Sequence, residues 1–256
     1  MVLVSDIGNS NITIGIYDDE KLIMNARFCT DKKYTIDQFA ISYHEIFNIK
    51  KINIEQIEGS IISSVVPEIT MLVKEAIKIV TKADSLIVGP GIKTGLNILI
   101  DNPAELGADL VIASVAIKKK YPLPCICFDL GTATKVLVIN KNGEFIGGAI
   151  APGVKVSLNA LSSGTSLLPY IGLDIPKKYI GKNTSDCMLS GSVLGTVEML
   201  KGLKSRMSDE ISEKFNTTVM TGGISSAKLA EYMNDNVIYD EYLLLDGLKE
   251  IYLKNK

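Results

Sequence analysis

Hydrophobic and polar positions alternate with a period of two over Asn11–Ile16, where Ile12, Ile14 and Ile16 are interleaved with Asn11, Thr13 and Gly15. That alternation predicts a half-buried strand. Apolar runs on either side predict two more, Val2–Asp6 and Leu22–Arg27, and apolar residues at helical spacing predict a helix over Thr35–Asn48. A buried strand at Ser60–Ser64 leads to Pro67, which opens a helix through Val80, because proline costs nothing in a first helical turn. Ser85–Val88 is another short strand. Pro103 likewise opens a helix expected to run to about Tyr121 and to stop before Pro122 and Pro124.

The second half repeats this plan. Strands are expected at Cys125–Asp129, Lys135–Ile139 and Phe145–Ala149, the last two joined by the turn signal Asn140-Lys141-Asn142-Gly143. Helices are expected at Val154–Leu161, Ser185–Phe215, Ser225–Asn234 and Leu243–Lys254, with strands Thr218–Thr221 and Val237–Tyr239 among them. The repetition reaches individual residues. Ser5-Asp6-Ile7-Gly8-Asn9-Ser10-Asn11-Ile12-Thr13-Ile14 reappears as Phe128-Asp129-Leu130-Gly131-Thr132-Ala133-Thr134-Lys135-Val136-Leu137. Asp6 and Asp129 are 123 positions apart, as are Leu22 and Phe145, so the repeat is expected to hold its register without a gap. Two copies of one unit predict an α/β chain of two similar lobes, residues 1–122 and 123–256, facing each other across a cleft.

The repeated unit carries chemistry suited to phosphate. Glycine at 8 and 131 lets backbone N–H groups come close to an anion. Asn9, Ser10, Thr132 and Thr134 add side-chain donors for phosphate oxygens, and the neighbouring carboxylates Asp6 and Asp129 can hold a hydrated cation. The same residues also build ordinary hairpin turns, so it is the duplication that favours a nucleotide-phosphate site.

Composition narrows the setting. A net charge of −2 over 256 residues gives no reason to expect nucleic acid or an acidic membrane as partner. No apolar stretch approaches the roughly 20 residues of a membrane span, and the N-terminus lacks a basic leader, so the expected location is the cytoplasm. Cys29, Cys125, Cys127 and Cys187 have neither zinc-site nor redox spacing and read as small apolar residues of a reducing compartment. His44 is the single histidine, which excludes a His-rich metal site.

Beyond the two turns, the chain contains Asn102-Pro103-Ala104-Glu105-Leu106-Gly107-Ala108-Asp109, Gly147-Gly148-Ala149-Ile150-Ala151-Pro152-Gly153, Leu167-Leu168-Pro169, Ile180-Gly181-Lys182-Asn183-Thr184, Thr221-Gly222-Gly223 and Leu245-Asp246-Gly247-Leu248. With these blocks in this order, nearly the whole chain resembles the type III pantothenate kinases, a family of the actin, sugar-kinase and heat-shock ATPase superfamily. The resemblance implies duplicated ribonuclease H-like half-domains, each a mixed sheet with three antiparallel strands plus helices. It also implies ATP-dependent phosphorylation of pantothenate to 4'-phosphopantothenate, the first step of coenzyme A biosynthesis, by a homodimer. Under it, Asp6, Ile7, Gly8, Asn9, Ser10, Asn11, Ile12 and Thr13 bind ATP and its Mg²⁺ (Asp6, through the phosphates), joined by Gly131 and Thr132. Asp129 marks a site for a monovalent cation, K⁺ or NH₄⁺. Asp109 is the base, Gly222 and Gly223 lie against adenine or ribose, and Ile100, Gly107, Ala108, Asp109, Leu110 and Thr184 surround pantothenate.

Residue by residue, plainer readings stand beside these. Asp109 in a first helical turn is favourable to the helix dipole alone. The set Met188, Val193, Leu194, Val197 and Leu200 could pack against a second copy or only within its own subunit. The chain also departs from the family pattern: Leu110 stands where Arg is usual, Ile100 where Tyr is usual, and Lys135 and Leu137 where Thr and Asp are favoured. Losing an Arg contact to a ligand oxygen costs about 1.5–3 kcal/mol. These departures define the alternative readings: a repurposed, non-catalytic member acting as a binding or regulatory protein, or a kinase for a more apolar alcohol.

Overall fold

The structure is a computed structural model and describes residues 1–233 and 236–256. It divides into two compact units. One contains Met1–Leu96, Asp101–Lys119 and Tyr242–Lys256; the other contains Asn97–Ile100 and Lys120–Glu241.

In the first unit, β1 (Val2–Ile7), β2 (Asn11–Asp18) and β3 (Lys21–Cys29) form the expected antiparallel meander. β4 (Gly59–Ser64) and β5 (Ser85–Ile87) add in parallel, giving the order β3-β2-β1-β4-β5. Leu3, Ile7, Ile12, Ile14 and Ile62 are fully buried in one cluster with Phe39, Tyr43 and Phe47 of α1 (Ile36–Ile49) and Ile69, Val73 and Ile77 of α2 (Pro67–Thr81). Each such side chain contributes about 1.5–3 kcal/mol by leaving water. α1 starts at a capping box: Thr35 Oγ1 accepts from Gln38 N–H, and Thr35 N–H donates to Gln38 Oε1.

The sequence predicts a helix from Pro103, but the chain makes only a 3₁₀ turn over Pro103–Glu105 and then restarts as α3 (Ala108–Lys120). Asn102 is the reason. Its Oδ1 accepts from Ala104 N–H and its Nδ2 donates to Glu105 Oε1, which closes a local turn. α3 is buried at every position from Val111 to Ile117, as an apolar helix must be. The C-terminal helix α8 (Leu243–Asn255) packs on β1, β2 and β4 of the first unit.

The second unit repeats the strand plan. β7 (Cys125–Leu130), β8 (Ala133–Ile139) and β9 (Glu144–Pro152) form the meander, β10 (Thr217–Gly222) and β11 (Val237–Tyr239) add parallel beyond β7, and short β6 (Asn97–Ile98) borders β9. The fold is thus the duplicated α/β arrangement, with one strand plan used twice. The gap-free register is not kept, however. Ile7 pairs with Ile12 around a four-residue turn, whereas Leu130 pairs with Thr134 around three residues. As a result Asp6 faces Thr13 but Asp129 faces Lys135, not Val136.

Ile126, Phe128, Val136, Val138 and Met220 of this sheet pack on Val154 and Leu158 of α4 (Val154–Gly164) and on the long helical segment after Thr184. That segment runs as α5 (Thr184–Leu189), a π-helical turn over Ser190–Leu194 and α6 (Gly195–Glu210). It ends before the expected Phe215 because Ser212 turns left-handed, at φ 55°. Met188, Val193, Leu194, Val197 and Leu200 are all buried within the chain, so of the two readings of this face, packing inside its own subunit is the one found. α7 spans Ile224–Glu231; the expected helix end at Asn234 lies outside the described residues. Among the described residues no helix is long and apolar enough to cross a membrane.

Candidate active site

The first turn hangs on two buried anchors, Ile7 and Ile12, so those two positions can offer a ligand only backbone groups. Between them Gly8 N–H donates to Asn11 O at 3.0 Å, and Thr30 of the neighbouring strand end ties the loop down through Oγ1 to Gly8 O at 2.7 Å. Asn9, Ser10 and Asn11 are exposed. Asp6 is half-buried. It pairs with Thr13 on one side and with Ser63 on the other, and the buried Ser63 hydroxyl finds no hydrogen-bond partner among the described residues. Arg27 adds a cation, its Nε donating to Thr13 Oγ1 at 3.3 Å. Sequence reasoning passed over Ser63 and Arg27, which reach the turn only through strand pairing.

In the second unit three turns converge where β7, β9 and β10 end. Gly131 N–H donates to Ala133 O, Gly153 N–H to Thr132 O at 3.1 Å, and Gly223 N–H to Leu130 O at 3.3 Å. At two positions, Gly153 and Gly222, the backbones approach so closely that side chains are excluded. A Cβ on Gly153 would stand 2.4 Å from the carbonyl oxygens of both Gly131 and Thr132, and one on Gly222, at φ +120°, would stand 2.3 Å from Leu130 O. α4 and α7 begin at Gly153 and Gly223 without side-chain caps; this leaves the amides of the first turn of α4 available to an anion, whereas in α7 Ser226 N–H already donates to Gly223 O at 2.8 Å. Thr132 is exposed beside them.

Asp129, 5% exposed, lies on the opposite face of β7 from the core residues Phe128 and Leu130. Its Oδ2 is 2.5 Å from the Lys135 ammonium, whose side chain is only 16% exposed. Cys127 shares that face, and burial, reinforced by Cys125 and Asp129, pushes its thiol well above the ordinary range. It is a packing residue and not a nucleophile.

Gly107, Ala108, Asp109 and Leu110 are brought together at the start of α3, all half-buried. Gly107 O accepts from Leu110 and Val111 N–H, and Asp109 Oδ1 accepts from Leu110 N–H at 2.8 Å. Asp109 therefore satisfies its own helix start and still presents a carboxylate there. Ile100 and Thr184 belong to the second unit. Thr184 is exposed at the first position of α5, whose cap is Asn183 accepting from Asp186 N–H. A cavity of about 590 Å³ lies between α4 and the π-helical turn, lined by Pro152, Leu161, Gly191, Ser192, Gly195 and Met199. None of the expected site residues lines it. The π-helical turn itself, stapled by Ser190 Oγ to Tyr179 O, had no signal in the sequence beyond Gly191 and Gly195.

Residues 2–206 match the family described as type III pantothenate kinase. Over 256 residues the chain is 41% identical to the type III pantothenate kinase of Citrifermentans bemidjiense and 39% identical to that of Exiguobacterium sibiricum, with 100% of both chains covered in each case. Its fold is similar to that of a Campylobacter jejuni protein described as a conserved candidate Baf family transcriptional activator, with TM-score 0.65 and 22% identity over 99% of this chain and 98% of that one. It is also similar to the ethanolamine utilization protein EutJ of Carboxydothermus hydrogenoformans, with TM-score 0.56 and 13% identity over 98% and 88%. At those identities the structural likenesses speak for the fold alone. Kinship at about 40% identity over full length speaks for more: this chain belongs to the type III pantothenate kinase family.

Proposed function

We propose that the protein transfers the γ-phosphoryl group of ATP to the hydroxyl of pantothenate, giving 4'-phosphopantothenate in the first step of coenzyme A biosynthesis. The observation that carries this reading is the full-length kinship to type III pantothenate kinases in a chain that keeps Gly107-Ala108-Asp109 as one unit at a helix start.

The chemistry asks little covalent work of the protein. A loose phosphoryl transition state needs alignment, charge neutralisation and a carboxylate that accepts the alcohol proton. Asp109 is assigned that proton. Asn9, Ser10, Asn11, Thr13 and Thr132 are assigned to the phosphates through side-chain donors and turn amides, Asp6 to the Mg²⁺ that the phosphates carry, with Ile7, Gly8, Ile12 and Gly131 contributing backbone. Gly222 and Gly223 are assigned to the nucleoside, where neither places a side chain against the ligand. Ile100, Gly107, Ala108, Leu110 and Thr184 are assigned to pantothenate.

Mg²⁺ suits the donor set at the first turn. Asp6 supplies a carboxylate, and the unpartnered Ser63 hydroxyl beside it would take a water of a hydrated ion, which is how Mg²⁺ prefers to bind. When bound, the ion neutralises charge on the phosphates. A homodimer is supported by the apolar side chains left bare between α4 and α5, Leu167 at 92% and Ile180 at 81% exposure, together with Tyr170 and Tyr179. Sedimentation of a monomer at micromolar concentration would remove it.

The deciding experiment is ADP release by the purified protein with ATP and Mg²⁺, with and without pantothenate. Pantothenate-dependent release is expected, and release that ignores pantothenate would end this reading.

A further inference from the structure

The family implies a free monovalent cation at Asp129, and the residues present do not fit one. The Asp129 carboxylate is already met at Oδ2, 2.5 Å away, by the Lys135 ammonium, and the two side chains are only 7% and 16% exposed. The pairing is built into the sheet. β7 and β8 set Asp129 directly opposite Lys135, on the face away from Phe128 and Val136. It depends on the shortened turn: a hairpin with the four-residue turn of β1–β2 would set Val136, which has no charge, against the aspartate. A potassium ion on the same carboxylate would stand beside a fixed positive charge and would have to displace an amine tethered in place, whose effective concentration is millimolar or higher.

We propose that the Lys135 ammonium is the resident monovalent cation of this protein, holding the charge beside the second phosphate turn so that phosphoryl transfer needs no added potassium or ammonium. The proposal rests on the kinase reading for its activity arm but not for its binding arm. Lysine carries the same single charge as K⁺ and NH₄⁺, and its three donors can serve carboxylate and phosphate oxygens alike.

The test compares the full-length protein in choline chloride with the same protein in about 100 mM KCl or NH₄Cl, ionic strength held constant. Pantothenate-dependent ADP release should change by less than about twofold, and melting of the ADP·Mg²⁺-bound protein should not move with potassium. Lys135→Thr should be slow and melt early in choline, and should recover both properties in KCl or NH₄Cl. Lys135→Met serves the same purpose if the threonine variant does not fold. Tenfold or greater stimulation of the wild-type protein by potassium overturns the proposal. So does a folded variant that is as fast as wild type in choline, or one that no cation rescues. Should no preparation release ADP, the kinase reading fails, and the melting curves still decide the role of Lys135: a potassium-dependent rise in the wild-type protein, or none in the variant, counts against it.

Discussion

The carboxylate of Asp109 lies over the bare Cα of Gly107: a Cβ built there would stand 2.6 Å from Oδ1. Any side chain at 107 must push the carboxylate aside. Because the carboxylate is the far end of a rotatable side chain, the cost falls on its position and not on the fold. Gly107→Ala should therefore lower kcat about 10–100-fold while ATP affinity, measured by calorimetry, stays the same. An unchanged kcat would show that the orientation seen here is irrelevant to turnover.

Removing the carboxylate's charge is the more direct test of its chemistry. Asp109→Asn keeps the shape, and its side-chain oxygen can still accept from Leu110 N–H, so the helix start survives. Loss of a general base costs about 10²–10⁴-fold in kcat. Single-turnover rates with pantothenate are the measurement, and a variant as fast as wild type would move the base elsewhere.

Leu110 is half-buried one residue on, and the proposed assignment to pantothenate would leave that ligand without a charged donor at this position. Leu110→Arg should lower KM for pantothenate roughly ten- to a hundredfold, the worth of one charge-assisted hydrogen bond. KM for ATP should stay put. If pantothenate binds no better by calorimetry, Leu110 does not face this ligand.

Two glycines separate close packing from free space. A Cβ on Gly247 of α8 would stand 1.9 Å from the backbone carbonyl of Ile112 in α3, and neither helix backbone can yield cheaply. Gly247→Ala should destabilise the protein by about 3 kcal/mol or prevent folding. At Gly202 of α6, which is exposed and meets nothing within 4 Å, the same change should stabilise by about 0.5–1 kcal/mol. Urea titrations of the two variants should shift in opposite directions.

The thiols give a pH signature. Burial pushes Cys125 from an ordinary value of 9.0 up to about 12, and Cys127 is raised as well. With folded values above unfolded ones, their contribution to stability is complete below pH 9 and is lost as pH climbs from there towards 12, since only the unfolded chain ionises. Exposed Cys29 and Cys187 should react with a thiol reagent at once at pH 8, and Cys125 and Cys127 only on unfolding. Rapid labelling of all four would contradict the packing of β7.

Much of the architecture was legible along the chain because it rests on local signals. Alternation at Ile12, Ile14 and Ile16, Pro67, and the doubled Asp-x-Gly turn mark strands, a helix start and the duplication. Pro103 misled by five residues, because the Asn102 side chain captured the turn that the proline was expected to start as a helix. The π-helical turn was illegible for another reason: widening a helix by one residue costs little locally and is decided by what packs around it.

At the site the division is sharper. The sequence by itself placed Asp6, Asp129, Gly131 and Thr132 in repeated turns of residue types suited to phosphate, and Asp109 in a block that resembles the family's, since residue type and spacing are local properties. Tertiary structure alone decided which partner each of them meets. Ser63 and Arg27 reach the first turn by strand pairing, and α8 joins the first unit from the far end of the chain. One residue fewer in the β7–β8 turn sets a lysine, not a valine, against Asp129. A side chain's face repeats every two residues in a strand, and its cross-strand partner depends on where the turn closes. That closure is an energetic choice of the folded hairpin, and a repeat aligned by sequence alone cannot register it.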